Sequence, residues 1–174
     1  MDGKFVAIKM HFGEFGNISY LRPNYAAAIV ELVKEMGGKP FLTDCNTMYP
    51  GMRKNALEHL ECAWKNGFTP LSVGCPVIIG DGLKGTDDIA VPVEGGVYTK
   101  EARIGRAIMD ADVFISLTHF KGHEMTGFGG QLRRMRPLPG GLQLRCDRLR
   151  PGPGDFHPEC QDGRVYQGRG QRAR

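Results

Sequence analysis

Residues able to do chemistry crowd into one short stretch. His119, Lys121, His123 and Glu124 lie within six residues, directly after the apolar run Val113-Phe114-Ile115-Ser116-Leu117. That run follows Asp110-Ala111-Asp112 and reads as a buried strand. Imidazole, ammonium and carboxylate groups at a strand's end can hold a metal, neutralise an anion or move a proton. Glycines at 122, 127, 129 and 130 let the backbone turn tightly and approach a ligand closely. In an open α/β sheet, ligands bind where the chain leaves the carboxyl ends of the strands. His119, Lys121, His123 and Glu124 are therefore expected at the centre of a site, with Gly129 and Gly130 beside them. The alternative is a solvated polar turn.

The elements that must position these residues alternate between strand and helix. Phe5–Met10 reads as a first strand and ends in His11-Phe12-Gly13-Glu14. Pro23 suits a helix start, and Tyr25, Ala26, Ile29, Val30, Val33 and Met36 recur at helical spacing before Gly37-Gly38. Pro40–Thr43 is a short second strand that opens into the oxygen-rich Asp44-Cys45-Asn46-Thr47. A helix over 53–66 is expected to bury Leu57, Leu60 and Trp64, which leaves His59 at the surface. Val73–Ile79 suggests a strand interrupted at Pro76, hence an edge, and delivers Gly80-Asp81-Gly82. Ile89–Val93 and Val97–Tyr98 suggest a hairpin around Glu94-Gly95-Gly96, and 101–110 a helix. The pattern predicts an α/β fold: a mainly parallel sheet with helices on both faces.

Residues 5–14 and 113–124 echo each other, each an apolar strand followed by His-Phe, a glycine and a glutamate. His11 and His119 hold the same place after their strands. In a parallel sheet both leave the same edge, beside Asp44, Asn46, Thr47 and Asp81. A mixed imidazole and carboxylate set suits a divalent transition metal, with His11, His119 and His123 as ligands, or a small anionic molecule. Lys121 would neutralise the anion, while Asp44 and Asp81 orient or coordinate. The alternative is that the two histidines only cap strand ends.

Bulk composition bounds the rest. The 174 residues are enough for a real core, and 41% apolar content is that of a soluble globular protein. No apolar run reaches the ~18 residues of a membrane helix, and no secretory leader is visible. Five widely spaced cysteines without a Cys-x-x-Cys pair argue against a disulfide framework or an iron–sulfur ligand set, and favour a reducing cytoplasm. Residues 1–130 carry 13 Lys+Arg and 15 Asp+Glu, whereas 131–174 carry ten arginines, no lysine and four acids. The basic excess therefore lies wholly in 131–174. Seven glycines and five prolines there oppose regular structure. Two domains of unlike character follow: 1–130, a ligand-binding α/β unit, and 131–174, a disordered basic tail. Replacement of lysine by arginine is what an out-of-frame reading of GC-rich DNA produces; a basic arm for nucleic acid is the other reading.

Several words of this sequence, in one order, resemble the family known as domain of unknown function 362. They are Lys9-Met10-His11-Phe12-Gly13-Glu14, Arg22-Pro23, Gly37-Gly38-Lys39-Pro40-Phe41 and Thr43-Asp44-Cys45-Asn46-Thr47, then Asn66-Gly67-Phe68 and Asp81-Gly82-Leu83. His119-Phe120-Lys121-Gly122-His123-Glu124 and Gly127-Phe128-Gly129-Gly130 complete the set, over about residues 4–130. The resemblance implies a link to iron–sulfur redox chemistry, with an oxidoreductase role and a ferredoxin-type partner. Many relatives carry 4Fe-4S modules with Cys-x-x-Cys-x-x-Cys motifs. Here Gln131-Leu132-Arg133-Arg134 replaces the family's continuation and no cluster motif follows. The chain is thus expected to hold no cluster, as a fragment lacking the ferredoxin module, and an inactive fragment is a further reading.

Overall fold

The computed structural model describes residues 1–123, except Tyr49 and Tyr98, together with 127–129. The arginine-rich segment 131–174, Glu124 and Gly130 lie outside the described residues, as do the side chains of Lys121 and His123.

Strand β1 (Phe5–Lys9) pairs in parallel with β2 (Lys39–Asp44) on one side and β6 (Val113–Ser116) on the other. β2 pairs in parallel with β3 (Val77–Ile79), giving the order β3-β2-β1-β6. Ile8 faces Leu42 across one ladder and Ile115 across the other. A parallel sheet needs crossover connections, which place helices on its faces. Helix α1 (Pro23–Glu35) makes the first crossover, with Pro23 in its first turn, where a missing N–H costs nothing. Helices α2 (Ala56–Lys65) and α3 (Pro70–Val73) make the second. Val6 and Ile8 pack with Ala26, Val30 and Val33 of α1, Ala63 of α2 and Val73 of α3. On the opposite face Ala7, Phe41 and Ala111 pack with Phe114 and with Ala107 of the short helix α4 (Arg106–Met109). Both faces are covered, the second much more thinly. The expected α/β architecture is the one observed.

Five local expectations are corrected. The apolar run from Val73 begins in helix α3, because Thr69 and Ser72 form a reciprocal cap and Pro70 starts the turn. Gly74, at φ +77°, ends it, and the strand proper starts only after Pro76. The hairpin is β4 (Asp88–Pro92) against β5 (Glu101–Gly105), so its second strand lies beyond Val97. Ala102 and Ile104 are half-buried while Glu101 and Arg103 are exposed, a period of two that displaces most of the expected helix. Arg103 Nη1 bonds Asp88 Oδ1 across the pair at 2.7 Å. The stretch after His119, expected to be loop, contains the hairpin β7 (Lys121–His123) and β8 (Gly127–Gly129), where Gly129 sits. Helix α2 buries His59, Cys62 and Ala63, while Leu57 and Trp64 are exposed.

The loop after β1 locks onto α2 through a close approach at Gly13. Its φ is +86°, and an added Cβ would lie 2.6 Å from Asn66 Nδ2 and 2.9 Å from the Tyr20 ring. That same Asn66 amide donates to Phe12 O at 2.9 Å. Left-handed backbone costs a non-glycine residue about 1–2 kcal/mol before any clash. Gly13→Ala should therefore lower unfolding free energy by about 2 kcal/mol or more, read as a lower urea midpoint; an unchanged midpoint would show that the loop yields freely.

Candidate functional site

The strand order fixes where a site can form. The chain moves outward from β1 to β2 to β3, then returns to lay β6 on the other side of β1. The order reverses between β1 and β6, and in open α/β sheets that crevice at the carboxyl ends is where ligands bind. A cleft of about 130 Å³ opens there, lined by Lys9, Met10 and His11 from the end of β1 and Leu117, Thr118 and His119 from the end of β6. Asn17, Ser19, Tyr20 and Leu21 form its remaining wall. Its volume is below the ~300 Å³ at which drug-sized pockets begin.

His11 and His119, placed at one edge from their sequence positions, share this cleft. Their rings are held differently. The Gly13 N–H donates to His11 Nδ1 at 2.8 Å, so the neutral ring carries its hydrogen on Nε2. His119 Nδ1 lies 3.2 Å from Ser19 O, and a carbonyl only accepts, so Nδ1 donates and Nε2 keeps the lone pair. A metal-bound histidine donates a hydrogen bond from its other nitrogen. His119 is arranged that way and His11 is not. Among the described residues no three His, Cys, Asp or Glu side chains converge as a metal set.

Asp44, Asn46, Thr47 and Asp81 do not line this cleft. Asp81 accepts from the Asn46 backbone N–H and from Asn46 Nδ2, each at 3.0 Å, so the two tie the β2 and β3 ends together. Thr47 N donates to Arg53 O at 2.7 Å. Asp44 connects to the cleft indirectly, through Lys9, whose ammonium is 3.3 Å from Oδ1. Oδ2 faces Arg53 Nη1 at 4.0 Å and His59 Nε2 at 3.8 Å. Burial raises the Asp44 carboxyl above its usual range although Lys9, the Cys45 N–H and Arg53 pull it down. Glu14 is also partly buried, but hydrogen bonds from Met52 N and Arg53 Nε hold it below the usual range. Burial, with Asp81 and Asp44 nearby, pushes the Cys45 thiol to about 12, so it is no thiolate nucleophile.

Sequence reasoning placed His59 at the surface; it is fully buried against Phe12. Among the described residues neither ring nitrogen has a hydrogen-bond partner. Burial first, then Arg53 and His11, lower its pKa to about 4. Lys9, Arg53 and Ser19 were also missed. Lys9 left one signal: a lysine closing an otherwise apolar strand is rarely buried without a partner.

Fold and crevice together define a parallel α/β domain with a small cleft at the reversal of its strand order. The chain belongs to the family described as Domain of unknown function (DUF362), whose pattern matches residues 6–138. That match runs past the change in composition at 131. The chain is also similar to the thylakoid-associated protein sll1697 of Synechocystis sp., with 32% identity over 108 residues, 59% of this chain and 28% of that protein. The matched stretch thus spans little more than a quarter of that relative's length. No solved structure matches the chain.

The buried imidazole sets a pH dependence of stability. With the folded pKa depressed to about 4, the unfolded chain binds the proton first as pH falls. Stability contributed above the unfolded value near ~6.5 is lost between there and the folded value, about 3 kcal/mol in full. Asp44 works in the opposite sense, since its raised pKa favours the folded state as pH falls. Urea unfolding of the wild type and His59→Leu at several pH values separates the two. The wild type should lose more stability on acidification than the variant; parallel curves would refute this.

Proposed function

We propose that the cleft between β1 and β6 binds a small anion, such as the phosphate or carboxylate group of a metabolite-sized molecule. One observation carries the reading: among the described residues the wall at the strand-order reversal includes Lys9, His11, His119, Ser19, Thr118 and Asn17 and no carboxylate. Such a lining offers hydrogen-bond donors, among them the His11 Nε2–H, beside a lysine, which suits an anion. The His11 ring, whose Nδ1 already accepts from a backbone N–H, suits an N–H donor to an anion better than a metal ligand. Lys121, His123, Glu124 and Gly130 remain proposed contributors from the adjoining segment, beside Gly129. Asp44, Asn46, Thr47 and Asp81 act here as supports, not as direct ligands.

The reaction, if the anion is a substrate, would use His119 as the proton-transfer group, because its Nε2 lone pair is left by the Ser19 bond. An iron–sulfur-linked oxidoreductase role with a ferredoxin-type partner rests on the family likeness rather than on this site. Among the described residues no helix is long and apolar enough to cross a membrane. The name of the Synechocystis relative ties that protein to thylakoids. For this chain we propose a reducing, cytoplasmic setting, supported by Cys45, Cys62 and Cys75, which are free thiols.

Calorimetric titration of the full chain with inorganic phosphate, sulfate and zinc tests the reading. Phosphate and sulfate should bind saturably. His11→Ala should weaken them about tenfold or more, since its Nε2–H is the ring donor toward the anion and a hydrogen bond to a charged group is worth about 1.5–3 kcal/mol. Zinc binding without anion binding would overturn the proposal in favour of a metal.

A further inference from the structure

Lys9 serves two neighbours at once. Lys9 is one of the residues lining the cleft, and its ammonium is the nearest cation to Asp44, 3.3 Å from Oδ1. Asp44 is 5% exposed, so little water solvates it. The other groups facing it are more distant or uncharged: Arg53 from the loop before α2, and His59 from α2 itself. Arg53 is also committed to Glu14, whose Oε2 its Nε meets at 3.1 Å. An anion entering the cleft therefore competes with Asp44 for the Lys9 charge.

We propose, resting on the anion-binding reading above, that the cleft takes up its anion together with one proton, and that Asp44 receives that proton. A buried carboxylate deprived of its closest cation is costly, and such a group neutralises instead. The balance is simple. One anion and one proton from solvent enter, the proton bonds to Asp44 Oδ2, Lys9 keeps its charge, and nothing leaves. The acceptor for the new O–H is in place. His59 is fully buried, its ring nitrogens have no hydrogen-bond partner among the described residues, and Nε2 stands 3.8 Å from Oδ2. A small closure makes that a hydrogen bond. Burial, Arg53 and His11 keep the imidazole neutral, so the carboxyl donates and the ring accepts.

The other titratable groups around Asp44 do not take this role. Glu14 is held ionised by Met52 N and Arg53. The Cys45 thiol already carries its proton. Asp81 is occupied by Asn46. His11 and His119 lie in the cleft itself and are the rival proton acceptors.

Sulfate, which cannot carry the proton itself, is the probe. Titrating the full chain near neutral pH in two buffers of unlike ionisation heat should show uptake approaching one proton per sulfate. Affinity should rise by up to about tenfold per unit fall in pH, the limit for one linked proton. The infrared difference spectrum should gain the carbonyl stretch of a protonated carboxyl. Asp44→Asn should still bind sulfate but lose both signals; if that variant does not fold, the wild-type infrared spectrum decides alone. Saturable binding without buffer dependence overturns the inference and leaves the anion site standing. Uptake without the carboxyl band, or unchanged in Asp44→Asn, also overturns it and assigns the proton to His11 or His119. Absence of any sulfate binding removes the anion reading and this inference together.

Discussion

Strand β1 is bonded on both sides, and the rest of the described structure is arranged by that double pairing. Its Val6, Ala7 and Ile8 are wholly buried, with α1, α2 and α3 packed on one face and α4 on the other. A residue hemmed in by two ladders and two layers cannot shift register without turning its side chain to the wrong face. Lys9 and His11 inherit that fixity, because they leave the strand one and three residues after Ile8. The cleft is thus precise at its β1 wall. The hairpin of β7 and β8 follows on from its β6 wall.

The charged groups behind the cleft depend on the same strand. Lys9, Asp44, Arg53, Glu14 and His59 form a group whose formal charges cancel when His59 is neutral. Such a network adds little net stability over a hydrophobic core, but removing one member leaves another uncompensated. Its worth lies in holding Lys9 at the cleft while keeping Asp44 within its reach.

The alternation of strand and helix was legible because buried parallel strands read as continuous apolar runs, as at Val6–Ile8 and Val113–Ile115. The meeting of His11 and His119 at one edge followed from parallel pairing alone. What escaped was decided by packing. Helix α2 carries two helical stripes, one of Leu57, Leu60 and Trp64, the other of His59, Cys62 and Ala63. Hydrophobicity favours the first. The small Cys62 and Ala63 let the helix settle closely, so the second is buried. Ile104, Ala107 and Ile108 mimic helical spacing, yet the first belongs to β5 and the others to α4. The Arg53–Glu14 pair joins residues 39 apart in sequence, and no local pattern announces it.

One of the two edge strands of the sheet among the described residues, β3, bears on what the folded chain avoids. β3 has only three residues, follows directly on Pro76, and places Ile78 at 42% exposure. An open sheet edge offers unpaired amides and carbonyls to any passing strand, and an apolar side chain there adds attraction. With so short a ladder and a proline at its entry, the edge can template only a brief foreign pairing. The brevity of β3 thus guards this edge against self-assembly into extended β-structure.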